Sequence, residues 1–200
     1  MFEAQYEVQV RLLLECLPHV NDSEAFALHG GTAINLFVRD MSRLSVDIDL
    51  TYLPVASREE SLEGIEKGLL LLEDKLKSSI PHVALKRHFV KERNISKLYV
   101  STRDALIKVE PNLIKRGTLL PPMLLDLCPR AQDTYEMYME MRTVALPELY
   151  AGKICAALDR QHPRDFYDIK ILMENGGLRK ISAKRLSSIS QGITAQYMNC

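Results

Sequence analysis

The segment from Leu44 to Leu50 constrains the fold most strongly, because apolar and polar residues alternate along it. Side chains two residues apart leave the same face of a strand, so Asp47 and Asp49 share one face and the apolar residues share the other. This pattern predicts a half-buried strand with paired carboxylates. Neighbouring carboxylates repel each other, and a hard divalent cation such as Mg²⁺ relieves that repulsion by binding oxygens of both. The strand therefore predicts a metal site of the kind that serves phosphate chemistry.

A Gly-Gly-Thr sequence at residues 30–32 precedes this strand and opens the apolar segment 33–38, whose composition predicts a helix. Two glycines let the backbone approach a ligand closely, and the N–H groups at the start of a helix bind phosphate. Each feature alone has an ordinary interpretation, as a simple turn or as a solvated strand edge. Together with Arg43 and Ser45 just ahead of the carboxylates, they predict a turn that holds a triphosphate and a strand that holds its metal.

The sequence GGTAINLF followed by RLSVDIDL resembles motif I of the AbiEii/AbiGii toxin family, to which the MenT toxins are related. The resemblance implies an α+β nucleotidyltransferase (polymerase-β-like) fold, with a mixed sheet flanked by helices and followed by a helical C-terminal part. It also implies a nucleoside triphosphate (NTP) as substrate and one or two Mg²⁺ ions as cofactors. Asp47 and Asp49 would then hold the metal and act in catalysis. The residues implied to bind the nucleotide are Gly30, Gly31, Thr32, Arg43 and Ser45.

The composition is that of an ordinary globular protein of 200 residues, with 46% apolar and 26% charged residues. The 26 basic and 26 acidic residues balance, which excludes a basic field over the whole chain for nucleic acid but leaves room for a local basic patch. The four cysteines are widely separated and favour reduced thiols. No apolar run reaches the roughly 20 residues that cross a bilayer, and the N-terminal sequence lacks the pattern of a signal peptide. We therefore expect a cytoplasmic protein without a membrane partner.

Further helices and strands are predicted on both sides of the motif. Apolar spacing predicts a helix over 2–17, ended by Pro18 and Asn21-Asp22, and another over 58–79 that Ser57 and Glu60 begin as a capping box. Short apolar runs predict strands at 26–28, 83–85, 95–100 and 105–110, the last three forming a meander. The proline-rich segment 111–134 predicts a loop-rich connection with a short strand or two.

Glu110 is a candidate third carboxylate. Lys108 and Glu110 share one face of the predicted strand 105–110, so a neighbouring position in the sheet would bring Glu110 beside Asp47 and Asp49. Enzymes of the implied fold commonly use a third carboxylate from such a strand, and the resemblance therefore makes Glu110 a catalytic residue and a metal ligand. The alternative is an ordinary exposed glutamate at a strand end.

Pro147 marks a change from strands to helices. A short strand around 142–146 leads into Pro147, which suits the first position of a helix that continues over 148–160. We therefore expect a nucleotidyltransferase sheet domain over 1–146 and a helical part over 147–200. Within the first helix, Lys153 and Arg160 lie two turns apart on one face.

A second helix begins with Arg164 and Asp165, after a short turn. Asp165 and Asp168 are expected in its first turn, where the helix dipole favours carboxylates. The order Lys, Arg, then Arg-Asp-x-x-Asp-Ile is similar to the later motifs of the same toxin family. The resemblance implies that Lys153 contacts phosphates and that Lys153 and Asp165 act in catalysis, with Arg160, Arg164 and Asp168 as supporting groups. The alternative interpretation is a helix cap with a local pair between Arg164 and Asp168.

These patterns favour transfer of a nucleoside monophosphate (NMP) from an NTP to an acceptor hydroxyl. The resemblance implies the toxin of a bacterial toxin–antitoxin or phage-defence pair, with a cognate antitoxin as partner and a tRNA or another RNA as acceptor. Two other hypotheses stay open. One is a degenerate module that binds a nucleotide or a partner without turnover, which the short C-terminal part and the balanced charge favour. The other is an enzyme that transfers NMP to a protein hydroxyl.

Overall fold

The structure, a computed structural model, describes residues 4–90 and 94–175. Within these residues, strands form a seven-stranded mixed sheet in the order β3-β4-β5-β2-β1-β7-β6. The strands are β1 (Phe26–His29), β2 (Asp47–Tyr52), β3 (Ala84–Val90), β4 (Asn94–Ser101), β5 (Leu106–Arg116), β6 (Met123–Asp126) and β7 (Glu140–Thr143). The expected α+β class with a mixed sheet is confirmed.

The two central strands, β1 and β2, are antiparallel to each other, and each has a parallel partner on its other side, β7 next to β1 and β5 next to β2. The meander predicted for β3, β4 and β5 is confirmed, because successive strands pair antiparallel. Strand β5 continues through Pro111, beyond its predicted end. Because β4 pairs with β5 only as far as Val109, the N–H group that proline lacks is not needed on that side.

Six helices accompany the sheet in the described residues. They are α1 (Ala4–Asn21), α2 (Gly30–Ala33), α3 (Arg58–Ser79), α4 (Pro129–Tyr135), α5 (Leu146–Arg160) and α6 (Pro163–Glu174), and a π-helical turn, Ile34–Val38, continues α2. The predicted capping box of α3 is confirmed, since Ser57 and Glu60 each accept a hydrogen bond from the backbone N–H of the other. The loop prediction for 111–134 was wrong at α4, because Pro129 opens a helix, where a missing N–H costs nothing.

Helices α1 and α3 contact each other and the sheet, and together they enclose the main core. The side chains of Ile48 and Leu50 of β2 are fully buried in this core. Burial of each such side chain contributes about 1.5–3 kcal/mol relative to exposure. Strand geometry then directs Asp47 and Asp49 to the opposite face of the sheet, away from α1 and α3.

The C-terminal helices α5 and α6 form a hairpin that contacts the start of α2. Pro147 lies at the start of α5, as predicted. Because α6 already begins at Pro163, only Asp165 falls in its first turn, and the expectation that Asp168 does so was wrong. The division into domains 1–146 and 147–200 stays a prediction, and residues 176–200 lie outside the described residues. Across residues 4–90 and 94–175, no helix combines the length and the apolar character needed for a membrane crossing.

Candidate active site

A cavity of about 720 Å³ lies between the carboxylate face of β2, the start of α2 and the α5–α6 hairpin. Its volume is within the range of small-molecule sites in proteins. The predicted site residues that line it are Gly30, Gly31, Arg43, Ser45, Asp47, Asp49, Lys153, Arg160, Arg164 and Asp165. The folded chain therefore brings most of the predicted residues to one place, although they come from two distant stretches of sequence.

The geometry of the site leaves no room for a side chain at residues 30 and 31 of the Gly-Gly turn. Gly30 has a φ angle of +74°, in the region that favours glycine, and a Cβ atom there would clash with Oδ2 of Asp49. A Cβ atom on Gly31 would lie 2.7 Å from Nη2 of Arg43. The two glycines thus allow the start of α2 to approach both a carboxylate of β2 and a guanidinium group.

Thr32 is buried and does not line the cavity. Its hydroxyl donates a hydrogen bond to the backbone carbonyl of Asp47 at 2.5 Å and lies 3.0 Å from the hydroxyl of Ser45. These contacts hold α2 against the chain that enters β2. The predicted role of Thr32 in nucleotide binding stays a prediction, whereas its contacts position Ser45 and Asp47.

The two carboxylates of β2 lie in different surroundings, because the Asp47 side chain is 46% exposed whereas the Asp49 carboxylate lies against Gly30. Burial, together with the negative charge of Asp47, raises the pKa of Asp49 to about 6. Both effects disfavour the ionised form of Asp49, which a cation bound to the pair would stabilise. The donor set consists of hard oxygen atoms on one face of a strand, which fits Mg²⁺. Asp47 and Asp49 are therefore the residues that would hold a divalent metal.

Glu110 lies directly opposite Asp49 in the parallel pairing of β5 with β2, as the sequence predicted. Its carboxylate is already bound by two lysines, with Lys108 Nζ 2.7 Å from Oε2 and Lys97 Nζ in contact with Oε1. Glu110 does not line the cavity. Within the part of the chain that the structure describes, no three His, Cys, Asp or Glu side chains are grouped as a metal site. The role of Glu110 as a third ligand stays a prediction.

The α5–α6 hairpin supplies the cationic side of the cavity. Lys153 Nζ lies 2.9 Å from Asp165 Oδ1, and Arg160 Nε lies 2.7 Å from Asp165 Oδ2. Burial alone would raise the pKa of Asp165, but the hydrogen bonds from Arg160 and Lys153 outweigh it and lower the pKa to about 2. The predicted location of Lys153 and Arg160 on one face of α5 is confirmed, because both contact Asp165.

Asp168 pairs across the molecule and not with Arg164, so the alternative interpretation of a local pair was wrong. Its carboxylate receives hydrogen bonds from Arg43 Nε at 2.8 Å and Nη2 at 2.7 Å, and it lies 3.2 Å from Lys153 Nζ. Arg164 lies exposed at the edge of the cavity. The carboxylates of Asp165 and Asp168 are thus shared by three cations, Arg43, Lys153 and Arg160. One net positive charge therefore remains beside the cavity.

Asn35 was not identified from the sequence, although it is fully buried and links the parts of the site. Its side-chain Nδ2 donates a hydrogen bond to the backbone carbonyl of Gly31 at 2.9 Å and lies 3.3 Å from Asp168 Oδ1. Its side-chain Oδ1 accepts a hydrogen bond from Ser42 Oγ at 2.8 Å. A single amide inside the apolar run AINLF was the available signal, because a buried polar group requires partners.

Lys115 and Glu148 also line the cavity and were not identified as site residues. Glu148 is fully buried and accepts hydrogen bonds from the backbone N–H of Leu120 at 2.7 Å and of Leu119. Lys115 Nζ lies 3.0 Å from its carboxylate. No local pattern joins residues this far apart in sequence, so only the fold reveals the pair.

His29 ends β1 opposite Asp49 and lines the cavity. Burial, with the positive charges of Lys115 and Lys153, lowers its pKa to about 4. The imidazole is therefore neutral at physiological pH. His29 therefore adds a neutral side chain to the lining of the cavity.

Comparisons with known proteins agree with this arrangement. The chain matches the family of nucleotidyl transferase AbiEii toxins of type IV toxin–antitoxin systems over residues 11–194. Curated proteins give no match to the sequence.

Several solved structures share the fold, and two of them illustrate the similarity to this chain. MenT4, a nucleotidyltransferase toxin from Mycobacterium tuberculosis H37Rv, superposes with a TM-score of 0.55 at 15% identity, over 75% of this chain and 52% of MenT4. This chain therefore spans about half the length of MenT4. A putative nucleotidyltransferase from H. pylori superposes with a TM-score of 0.56 at 18% identity, over 98% of this chain and 83% of the other. The nucleotidyltransferase fold is confirmed, and because the family match covers most of the sequence, the chain belongs to the AbiEii nucleotidyltransferase toxin family.

Proposed function

We propose that this protein transfers an NMP from an NTP to an acceptor hydroxyl in a Mg²⁺-dependent reaction. One observation carries the proposal: a single cavity has the paired carboxylates Asp47 and Asp49 on one wall and the cations Arg43, Lys153 and Arg160 on another. Phosphoryl transfer requires both kinds of group, because catalysis consists mainly of positioning and of neutralising charge on phosphate oxygens.

Asp47 and Asp49 would hold the metal at the reacting phosphate. Bound there, Mg²⁺ supplies positive charge to the phosphate oxygens and lowers the pKa of the attacking hydroxyl. Asp49 lies against Gly30, so the carboxylate pair is directly beside the Gly-Gly turn. The backbone of Gly30 and Gly31 would then contact the triphosphate.

The cations of the α5–α6 hairpin would bind the phosphates of the NTP. Asp165 pairs with Lys153 and Arg160. Asp168 pairs with Arg43 and also with Lys153, which therefore contacts both carboxylates. Cations fixed before the substrate arrives need no reorganisation when charge develops in the reaction. Asp165 therefore acts in this proposal by orienting Lys153.

The acceptor that we propose is an RNA, with the 3′ end of tRNA as the first candidate. This part of the proposal rests on the membership of the toxin family and on its resemblance to the MenT toxins. The same membership supports a cognate antitoxin as partner and a role as the toxin of a toxin–antitoxin or phage-defence pair. A protein hydroxyl is the competing acceptor.

Incubation with each of the four α-³²P-labelled NTPs, Mg²⁺ and a cell lysate tests the reaction and its acceptor together. Nuclease and protease treatment of the labelled products then separates RNA from protein. We expect nuclease-sensitive label with the wild-type protein and none with Asp47→Asn. The matched control is Asp133→Asn, an exposed aspartate of α4 away from the cavity, which should label as the wild type does.

Protease-sensitive label would show that the acceptor is a protein and not an RNA, and it would still support the proposed transferase activity. Nucleotide binding without any labelled product would contradict transfer and support a binding module.

A further inference from the structure

We infer that Lys108 occupies the place of a second metal cation, so that the site binds one divalent ion at Asp47 and Asp49. The inference rests on the proposed function and deepens it. Two-metal sites for phosphoryl transfer use cations about 3.5–4 Å apart, held by shared carboxylates. Here a lysine ammonium lies among the carboxylates that a second ion would need.

The strand register places Lys108 in this position. In the parallel pairing of β2 with β5, Asp47 lies opposite Lys108 and Asp49 lies opposite Glu110. Side chains of paired residues leave the same face of a sheet, so the four groups form a compact cluster. Lys108 Nζ lies 2.7 Å from Glu110 Oε2 and 3.8 Å from Asp47 Oδ1. The ammonium thus lies between the two carboxylates.

Lys97 completes the neutralisation of Glu110 from β4, where its ammonium contacts Oε1. Both oxygens of this third carboxylate are therefore taken by lysines. Lys97, Lys108 and Glu110 each retain about 30% of their side-chain exposure, so the cluster is partly shielded from water. Partial burial strengthens charge interactions relative to those in bulk water.

The balance of charge supports a single ion. On this face of the sheet, the three carboxylates of Asp47, Asp49 and Glu110 and the two ammoniums of Lys97 and Lys108 sum to one net negative charge. One divalent cation more than offsets this charge. A second divalent cation would lie next to two ammoniums, and the Glu110 carboxylate would not be free to bind it. The fixed positive charge of Lys108 therefore takes the place of that second cation.

Anomalous scattering from Mn²⁺ in crystals grown with a non-hydrolysable NTP analogue tests this inference without measuring activity. The wild-type protein should show one Mn²⁺ peak, in contact with Asp47 and Asp49. Lys108→Met keeps the length of the side chain and removes its charge, and it should gain a second peak between Asp47 and Glu110. Lys108→Gln serves as a second neutral variant if the methionine variant does not fold.

Lys86→Met, on the exposed face of β3, is the matched control and should keep one peak. Two peaks in the wild-type protein would overturn the inference while leaving the proposed transferase intact. One peak in both the wild type and the folded Lys108 variant would also overturn it. No peak in the wild type would overturn the metal site of the proposed function together with this inference.

Discussion

Arg43 and Asp168 form a two-point ion pair, Nε to Oδ1 at 2.8 Å and Nη2 to Oδ2 at 2.7 Å, although they lie 125 residues apart. Arg43 precedes β2, and Asp168 lies on α6 with only 1% of its side chain exposed. The pair therefore joins the carboxylate strand to the hairpin that carries Lys153. Both walls of the cavity depend on this connection.

Removal of Asp168 should destabilise the fold strongly. Asp168→Ala leaves Arg43 and the buried Lys153 without a shared partner, and loss of one member of a buried ion pair costs about 3–5 kcal/mol. Urea denaturation measures this change in the free energy of unfolding. The control is Glu174→Ala, which removes an exposed pair with Lys170 on the same helix and should cost less than about 1 kcal/mol. Similar losses in the two variants would contradict a structural role for the Arg43 pair.

Gly30→Ala should impair catalysis more than it impairs folding. The added Cβ would displace the Asp49 carboxylate, and the positive φ angle adds backbone strain. A misplacement of about 1 Å in a reacting group costs about 10²-fold in rate, so we expect a loss of at least that size. The rate of NMP transfer, compared at equal folded fraction by circular dichroism, provides the measurement. A wild-type rate in the folded variant would show that Asp49 needs no fixed position.

Gly152→Ala should have opposite effects on stability and on nucleotide binding. Gly152 lies inside α5 and lines the cavity, and a Cβ atom there would meet nothing within 4 Å. Alanine in a helix interior is more stable than glycine by about 1 kcal/mol, so the free energy of unfolding should rise. The added methyl group would take space from the ligand, and calorimetric titration should show weaker NTP binding. Unchanged affinity in a stabilised variant would place the nucleotide elsewhere.

The sequence predicted those parts of the site that depend on local patterns. Alternation along β2 located Asp47 and Asp49 on one face, and the Gly-Gly turn located the start of α2. Helical spacing located Lys153 and Arg160 on one face of α5. These predictions succeeded because each uses residues within about two turns or one strand of each other.

The remaining contacts required the fold, because they join residues that share no local pattern. Asp168 pairs with Arg43, which lies outside its own helix, and the carboxylate of Glu110 pairs with Lys97 of a neighbouring strand. The sequence does not predict helix α4, because Pro129 is typical of a loop although the first turn of a helix also tolerates proline. Sequence patterns therefore located the groups but not their partners.

Acid should weaken the wild-type protein through Asp165. Its pKa is about 2 in the folded protein and 3.8 ordinarily, so its ionised form contributes about 2 kcal/mol of stability. Because the folded pKa is depressed, this contribution is present above about pH 4 and is lost as the pH falls towards 2. The difference in unfolding free energy between the wild type and Asp165→Asn should shrink over that interval. A difference that is independent of pH would contradict the ion pairs with Lys153 and Arg160.

Catalysis by the carboxylate pair is tested by the initial rate of NMP transfer from labelled NTP to purified tRNA in Mg²⁺, measured for the wild type, Asp49→Asn and Asp104→Asn. Asp49 lines the cavity beside Gly30, whereas Asp104 is exposed on the loop between β4 and β5. We predict that Asp49→Asn lowers the rate by about 10³-fold or more, since it removes a carboxylate that we propose to hold the metal, and that Asp104→Asn keeps the wild-type rate. A wild-type rate in Asp49→Asn would contradict the assignment of the carboxylate pair as the catalytic centre.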